Sequence, residues 1–406
     1  MRFTDTVDTP PSFVLKYYLY TAIKSARFSV AVWVVYLTSE GISFSQIGFL
    51  DGIYSVAIIA FEIPTGYIGD RLGRRNSIVV SLLLSAAGSI GFALTGSFLT
   101  FASLYIGLAV GQTFRSGTAS AWLYDVLDER LDGDQFAHVR GRGKAFGYVV
   151  GGAAAVVGGY LGELSLAYPW ILEGVVMLFA VPVVLSLPET DTTGDQTDFR
   201  LPDAIPVIRD HLPTRPLRSF VLYTGVVSGV LGTINFFVQP VSLDAGFTPG
   251  TLGWLFAGFT IVSAAVSYNT GRIKERFGVA QWFRVAPMVL GVGFGLLYWL
   301  PAAVVPLFFL HKIVRGVGGS LRGQFVNDRT GSFGRATVLS AISMVTALLV
   351  LPFEVGGGML ADEIGAVPTM AVLGGVLVVV LLIITVVEDP FTASGSDPPE
   401  AAVSDD

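Results

Sequence analysis

The sequence predicts an all-α membrane protein in which twelve transmembrane helices form two pseudo-symmetric six-helix bundles. Composition is the first observation, because 52% of the 406 residues are hydrophobic and only 14% are charged, whereas soluble domains carry about 25% charged residues. Apolar runs of roughly 20 residues, enough to cross a hydrocarbon core about 30 Å thick, recur along the chain. The third observation is a pair of stretches that repeat each other in the two halves.

The apolar runs define the predicted elements. Backbone groups inside a bilayer must be satisfied within their own segment, so each isolated run is expected to be a helix. In chain order the predicted spans cover residues 13–37, 45–68, 77–95, 99–123, 145–161, 169–187, 217–238, 251–270, 283–300, 304–326, 336–360 and 367–387.

The spacing of these runs predicts four segments: an N-terminal six-helix bundle (1–187), a cytoplasmic linker (188–216), a C-terminal six-helix bundle (217–389) and a tail (390–406). The linker begins with "PETDTTGDQTDF" and the tail ends with "GSDPPEAAVSDD", and both are too polar to fold into a core. We therefore expect the acidic tail to be disordered.

Basic residues predict the orientation of the chain in the membrane. The first span carries Lys16, Lys24 and Arg27 with no small-residue cleavage site after it, so no signal peptide is expected. Alternate connections contain no Lys or Arg; they are 38–44, 96–98, 162–168, 242–250, 301–303 and 361–366. Because Lys and Arg concentrate in cytoplasmic loops, we expect a multi-pass protein of the plasma membrane with both termini in the cytoplasm.

Two short stretches reveal an internal repeat. "GISFSQIGFL" from Gly41 aligns with "GFTPGTLGWL" from Gly246, and with the same offset "GYIGDRLG" from Gly66 aligns with "GRIKERFG" from Gly271. Two matches at one offset, separated by a whole span, indicate a duplicated unit. Both charged copies are predicted on the cytoplasmic side, which indicates parallel repeats about an axis along the membrane normal.

The charged turn also carries a family resemblance. "GYIGDRLGRR" resembles the GxxxDRxGRR turn between spans 2 and 3 of the major facilitator superfamily, and "GRIKERFG" lies where that superfamily repeats the turn. The longer string "FEIPTGYIGDRLGRR", with "FRSGTASAWLYD" and "RATVLS", resembles a drug-exporter-like branch whose members are mostly of unassigned substrate. The resemblance extends from about Pro11 to Asp389 and implies the superfamily fold.

The resemblance implies a cytoplasmic gate at the two turns. In that family an acid at the Asp70 position caps the start of span 11 and pairs with nearby basic residues in the outward-facing state, and Arg335 matches here. Glu275 would be its counterpart against Arg142 and Lys144. The predicted gate residues are Gly66, Asp70, Arg71, Gly73, Arg74, Glu275, Arg276 and Gly278. The alternative is that these charges only fix the topology.

Charged and polar residues within the spans predict a substrate cavity, because charges kept inside a bilayer usually face a cavity or a partner. Residues 17, 20, 24 and 27 share one helical face by their spacing. The predicted cavity residues are Tyr20, Lys24, Arg27, Arg115, Asn235, Gln239, Lys312, Arg315 and Arg322. Since basic residues outnumber acidic ones, an anionic substrate is indicated. Snorkelling of the long side chains is the alternative.

Acidic residues within the spans are candidates for proton coupling. Asp51, Glu62 and Glu354 are the predicted proton carriers, Glu173 is a further intramembrane acid, and Glu62 is placed at a depth that favours a pair with Arg115. A buried carboxyl group is the usual proton carrier of a proton-coupled porter. Each acid could instead form a permanent ion pair between helices.

These observations and the resemblance predict a secondary active transporter, not an enzyme, that exports amphipathic or anionic small molecules by alternating access, with protons as the coupling ion. The alternatives are an organic anion uptake symporter and, in another class, a non-transporting receptor or structural membrane protein. No GxxxxGKS or GxxxxGKT loop supports ATP-driven transport. No metal site, cofactor or nucleic-acid partner is expected; the partners are the substrate, protons and lipid, and we expect a monomer.

Overall fold

The computed structural model describes residues 10–131, 133–189, 217–327 and 335–391, with the side chains of 327 and 335–340 excepted. These ranges contain helices and no strand, which confirms the predicted all-α class. The helices are α1 (Ser12–Ser25), α2 (Trp33–Ser39), α3 (Phe44–Leu72), α4 (Arg74–Ala93), α5 (Phe98–Arg115), α6 (Thr118–Arg130), α7 (Phe136–Leu164), α8 (Tyr168–Leu185), α9 (Leu217–Asp244), α10 (Pro249–Phe277), α11 (Val279–Gly295), α12 (Val304–Asn327), α13 (Arg335–Ile364) and α14 (Ala366–Val387). Most of the predicted linker and tail lies outside the described residues.

Nine of the described helices are long and apolar enough to cross a membrane. They are α3, α4, α7, α8, α9, α10, α12, α13 and α14. The other three predicted spans correspond to the pairs α1–α2 and α5–α6 and to α11, which has 17 residues. All twelve predicted spans therefore contain helix, but two of them are interrupted.

Both interruptions correct the prediction of continuous helices. Between α1 and α2 the chain leaves helical geometry at Ala26, forms a short 3-10 turn at Phe28–Ala31 and resumes at Trp33. Between α5 and α6, Gly117 adopts a φ of +75°, a left-handed conformation that glycine adopts without steric cost. Apolar residues flank both breaks closely enough for each pair of helices to be counted as one span by hydropathy.

The internal repeat is visible as local backbone geometry. Helices α3 and α10 each have 29 residues, and each begins with a capping box, at Ser43 and at Thr248. Each also ends at a single glycine that turns the chain into the next helix, Gly73 with φ +84° and Gly278 with φ +70°. Equivalent positions of the repeat thus start, end and turn their helices in the same way.

Two helix pairs form the most extensive contacts between the first half of the chain and the second: α7 packs on α10, and α3 packs on α13. At one end these pairs touch closely, because a Cβ on Gly159 would lie 2.5 Å from the carbonyl oxygen of Pro249. Seven residues along α7, a Cβ on Gly152 would meet its nearest described atoms only at 3.9 to 4.0 Å. A Cβ on Gly66 of α3 would meet no described atom within 4 Å. The pairs therefore diverge towards the other end.

We name the two ends by their charges. The end where the pairs touch is the acidic end, whose connections at 38–43, 94–97, 165–167, 245–248 and 365 contain no Lys or Arg. Acids including Glu163 and Asp362 lie beside these connections. The end where the pairs diverge is the basic end, with the turns at 70–75 and 272–278. In the part of the chain that the structure describes, the two pairs are thus in contact at the acidic end and farther apart at the basic end.

Aromatic side chains lie exposed near both ends. Trp254, Tyr298 and Trp299 are exposed near the acidic end, and Tyr67 and Tyr268 near the basic end. Exposed aliphatic side chains lie between them on the outer faces of the helices. Aromatic belts at two interfaces around an apolar band are typical of a membrane-spanning protein.

Candidate functional site

Two buried polar side chains hold the break between α1 and α2. The Glu173 carboxylate of α8 accepts hydrogen bonds from the backbone N–H (3.0 Å) and the hydroxyl (2.7 Å) of Ser29. From the second half, the Gln239 amide oxygen accepts from the N–H of Val34 at 2.8 Å, and its NH₂ group donates to the carbonyl of Val30 at 2.9 Å. A break inside a bilayer leaves backbone N–H and C=O groups without hydrogen-bond partners. The Glu173 and Gln239 side chains provide partners for these groups.

This break moves two predicted cavity residues away from the expected positions. Arg27 lies beyond the end of α1, so it does not share the helical face of Lys24; its Nε lies 3.9 Å from the Glu173 carboxylate. Gln239 is fully buried between the halves and its amide binds backbone instead of lining the cavity. Sequence spacing missed this because it assumes an unbroken helix.

A cavity of about 390 Å³ lies beside α3, α9, α12 and α13. Its wall contains two arginines of α12, Arg315 and Arg322, and the Glu354 carboxylate of α13. Hydroxyl groups complete the polar lining; they are Ser55, Thr224, Ser228, Ser343 and Thr346. Binding sites for small molecules are typically concave, mostly apolar and furnished with a few polar groups of this kind.

Arg315 and Glu354 lie in the wall of this cavity, and Asp51 of the first half lies within electrostatic reach of both. The Arg315 guanidinium attracts the carboxylates of Asp51, from α3, and Glu354, from α13, and these two carboxylates repel each other. Glu354 is only 7% exposed and packs against α9, where a Cβ on Gly232 would lie 2.8 Å from its Oε1. The structure therefore brings together three residues that the sequence placed in separate spans.

Arg322 differs from Arg315 in having no counter-charge. It lies two turns further along α12, half-buried in the cavity wall, and forms no hydrogen bond or ion pair within the described residues. An unpaired cation in the wall of a polar cavity is suited to binding an anionic group.

The remaining predicted cavity residue on α12 has local partners. Lys312 donates to the Asn235 side-chain oxygen at 2.7 Å, and its ammonium lies 5.1 Å from the Phe259 ring centroid. Both contacts lie within the second half. Lys312 and Asn235 therefore form an internal hydrogen bond between α12 and α9, which leaves the two arginines as the predicted cations that line the cavity.

Further cations lie in the first half. Lys24 has no hydrogen bond or ion pair among the residues described, and Arg115 binds only the Gln112 side chain of its own helix. The two cations repel each other. Tyr20, predicted to face the cavity, is fully buried in the interior of the first half with a hydroxyl that lacks a hydrogen-bond partner. Tyr54 lies within electrostatic reach of both Arg115 and Asp51.

The predicted pair between Glu62 and Arg115 is wrong. Glu62 is exposed and forms no ion pair in the described part of the chain. Its position on α3 lies in the section where α3 and α13 have already diverged. Depth along the membrane suggested the pair, but helix rotation decides which face a side chain occupies, and the hydrophobic pattern of α3 does not fix that rotation.

The charged turn after α3 is held within the first half. Arg74 binds Asp125 of α6 at 2.7 Å, and Arg75 binds Glu189 at 2.6 Å. Arg71 binds the Tyr67 hydroxyl on its own helix. Asp125 ends the string "FRSGTASAWLYD" noted in the sequence, yet its pairing with Arg74 became apparent only in the structure.

The two acids predicted to close the gate are exposed in this state. Asp70 and Glu275 form no hydrogen bond or ion pair with any described residue. Gly66, Arg276 and Gly278 are exposed as well. The side chain of Arg335 lies outside the described residues.

A known protein family matches this chain. Residues 18–239, more than half of the chain, match the family described as the Major Facilitator Superfamily. The chain belongs to the major facilitator superfamily. Its known members are transporters of small molecules and not enzymes, so this chain is a multi-pass membrane protein of a transporter family. The resemblance drawn from the charged turn is confirmed at the level of the superfamily.

Several major facilitator proteins are similar to this chain. The uncharacterized transporter YxaM of Bacillus subtilis strain 168 is 27% identical over 258 residues, which cover 60% of this chain and 63% of YxaM, less than two thirds of that relative. The nucleoside transporter NupG superposes with a TM-score of 0.76 at 13% identity, covering 92% of this chain and 98% of NupG.

A third major facilitator structure superposes closely as well. A bacterial homologue of the human lysosomal transporter Spinster, in an inward-facing and unoccupied conformation, gives a TM-score of 0.72 at 15% identity, covering 93% of this chain and 97% of that chain. At these identities the likeness to NupG and to the Spinster homologue shows the shared fold alone.

Proposed function

We propose that this chain is a secondary active transporter of the plasma membrane that exports small anionic or amphipathic compounds in exchange for protons, by alternating access. The observation that carries the proposal is the charge cluster beside the cavity. Asp51 of the first half and Glu354 of the second both lie within electrostatic reach of Arg315. Any change in the charge of this cluster alters an interaction between the two halves.

The cluster supplies a rationale for proton coupling. With both carboxylates ionised, Arg315 balances one of two negative charges, so a negative charge is left over in a medium where charges are costly. Binding one proton neutralises the cluster and removes the repulsion between Asp51 and Glu354. One charge crossing 100 mV gains about 2.3 kcal/mol, which is enough to drive substantial accumulation. Glu354 is the preferred carrier, since it lies in the cavity wall.

Arg322 is the proposed anchor for the anionic group of the cargo. It lies in the cavity wall with no acid partner among the described residues, and hydroxyl groups at Thr224 and Ser228 lie in the same wall. A guanidinium donates paired hydrogen bonds to a carboxylate or phosphate. The apolar remainder of the lining, such as Val227 and Leu231, suits an amphipathic molecule.

We further propose that the basic end faces the cytoplasm and that the protein works as a monomer. The concentration of Lys and Arg at the basic end supports this orientation. In that orientation the described conformation is open to the cytoplasm, ready to accept cargo for export. Labelling can test the orientation directly, because the chain contains no cysteine: Glu40→Cys at the acidic end should react with an impermeant maleimide on intact cells, and Arg276→Cys should not.

Thermal unfolding of the purified protein tests the cargo class. We would compare organic anions with neutral and cationic compounds of similar size. Anions should raise the unfolding temperature of the parent protein, and Arg322→Gln should lose this effect, because the variant removes the unpaired guanidinium. Arg130→Gln is the matched control, since Arg130 is exposed outside the cavity. Stabilisation by cations alone would overturn the proposal.

The strongest stabilising compound then tests the direction of coupling in proteoliposomes. An exporter that exchanges cargo for protons should move the compound against an imposed proton flow. Movement of the compound together with protons would identify the alternative, an organic anion uptake symporter.

A further inference from the structure

The acidic end contains two contacts in which an acid of one half binds the beginning of a helix in the other half. At the first contact, the backbone N–H groups of Phe44 and Ser45 donate to the Asp362 carboxylate at 2.8 Å and 3.1 Å. Phe44 is the first residue of α3, and Asp362 lies in the last turn of α13. The first N–H groups of a helix have no partner within the helix, so Asp362 supplies one.

The second contact has the same construction with the halves exchanged. The Glu163 carboxylate, in the last turn of α7, accepts from the Thr248 hydroxyl at 2.7 Å and from the Gly250 N–H at 3.1 Å. Thr248 is the N-cap of α10 and occupies the position that Ser43 occupies in the first repeat. The positive end of each helix therefore meets a carboxylate of the opposite half, an arrangement favoured electrostatically.

Glycines place the helices close enough for these contacts. A Cβ on Gly358 of α13 would lie 2.5 Å from the carbonyl oxygen of Phe44, and one on Gly159 of α7 would lie 2.5 Å from that of Pro249. Phe44 and Pro249 are the first residues of α3 and α10. Only glycine permits so close an approach of two backbones.

A short sequence repeat encodes both contacts. "GGYLGE" at residues 158–163 and "GGMLAD" at 357–362 share the two glycines, the leucine and the final acid at identical spacing. In each copy the second glycine touches the beginning of the partner helix, and the acid four residues later caps it. One turn of helix separates the two residues, which places both on the same face.

We propose that Glu163 and Asp362 form a double latch that holds the acidic end closed, and that the latch must open for the cavity to reach the acidic side. Both acids are positioning residues, because neither lines the cavity. The inference rests on the proposed alternating access. It is independent of the cargo and of the coupling ion, since neither takes part in the latch.

Distance measurement between spin labels tests the latch. Labels at Glu40→Cys and Ala245→Cys report on the acidic end from the two halves, and the native chain offers no competing thiol. We would record electron–electron double resonance on the full-length protein in lipid nanodiscs, with no substrate and no proton gradient. The parent should show mainly a short-distance population.

Removal of the acids should shift this population. Asp362→Asn and Glu163→Gln should each transfer part of the short-distance population to longer distances, and the double variant should transfer more than either. Glu363→Gln is the matched control, because Glu363 is the exposed neighbour of Asp362 and has no partner among the described residues. Its distances should equal those of the parent.

Two results would overturn the latch: distances unchanged in the double variant, or an equal shift in Glu363→Gln. Rescue of the short-distance population by Asp362→Glu would support it, since the carboxylate is then retained. If the variants open the acidic end while the parent protein transports no compound, the proposed function fails and the latch stands. If transport proceeds with the distances unchanged, only the latch fails.

Discussion

The two ends of the helical bundle use their acidic residues differently. At the acidic end, Glu163 and Asp362 each bind the beginning of a helix in the opposite half. At the basic end, the ion pairs among the described residues lie within one half, as in Arg74 with Asp125 and Arg284 with Asp389. Acids that connect the halves restrain their separation, whereas acids paired within a half leave the halves free to move apart.

The difference explains which end is open. Asp70 and Glu275 at the basic end have no described partners, although the repeat places both beside the ends of long helices. The resemblance to the family implies that Asp70 caps a helix when the basic end is closed. Both ends would then use the same interaction, a carboxylate at a helix N-terminus.

The largest expected effect concerns Glu354 and Glu62, which differ in whether the two halves touch around them. Glu354 is buried where the halves touch, and Glu62 is exposed where they diverge. If Glu354 carries the proton, Glu354→Gln should abolish transport driven by a pH gradient and retain exchange of cargo at equal pH. Glu62→Gln should leave both activities unchanged. Flux in proteoliposomes at matched protein content measures this.

Loss of exchange as well in Glu354→Gln would point to a structural ion pair, because breaking a buried pair costs about 3–5 kcal/mol. The thermal unfolding of the same preparation distinguishes this case. Gradient-driven transport that persists in Glu354→Gln would exclude Glu354 as the carrier.

A second, intermediate effect is expected where the halves touch at Gly358. Gly358→Ala places a methyl group against the Phe44 carbonyl, and overpacking of this kind costs about 1–3 kcal/mol. The ratio of closed to open population at the acidic end should fall by roughly 5- to 150-fold, because about 1.4 kcal/mol corresponds to a factor of ten. The spin-label distances between residues 40 and 245 measure the change.

Gly356→Ala provides the control on the same helix, since a Cβ there would meet no described atom within 4 Å. Equal distance distributions in Gly358→Ala and the parent would show that the close approach of α13 to α3 does not hold the acidic end closed.

The smallest expected effect is at the basic end. Asp70→Asn removes the charge that the family resemblance assigns to closure of the basic end, and a helix N-terminus stabilises an anion by about 0.3–1 kcal/mol at exposed sites. Transport should therefore fall by about two- to fivefold, with expression unchanged. Glu129→Gln, an exposed acid near the same end, should transport as the parent does. Parent-level flux in Asp70→Asn would remove the gating role of Asp70.

Much of the fold was predictable from residues whose effect is local. Composition and hydropathy predicted the helices, and the repeat at Gly41 and Gly246 correctly indicated equivalent helix ends. The site was less predictable. Arg315, Arg322 and Glu354 were each identified as intramembrane charges, but Gln239 and Tyr20 were assigned to the cavity because spacing on an ideal helix places side chains without regard to breaks or to neighbouring helices.

The sequence by itself determined that the chain spans a membrane with helices, that its two halves are copies, and where the copies turn, because hydropathy, capping residues and glycines act over a few neighbouring residues. The tertiary structure alone decided that the first predicted span breaks between α1 and α2, which charges lie near one another at the cavity, and which end is closed. These features depend on contacts between residues more than a hundred positions apart, such as Gln239 with Val34 and Asp362 with Phe44. Local sequence patterns do not indicate which residues so far apart along the chain come into contact.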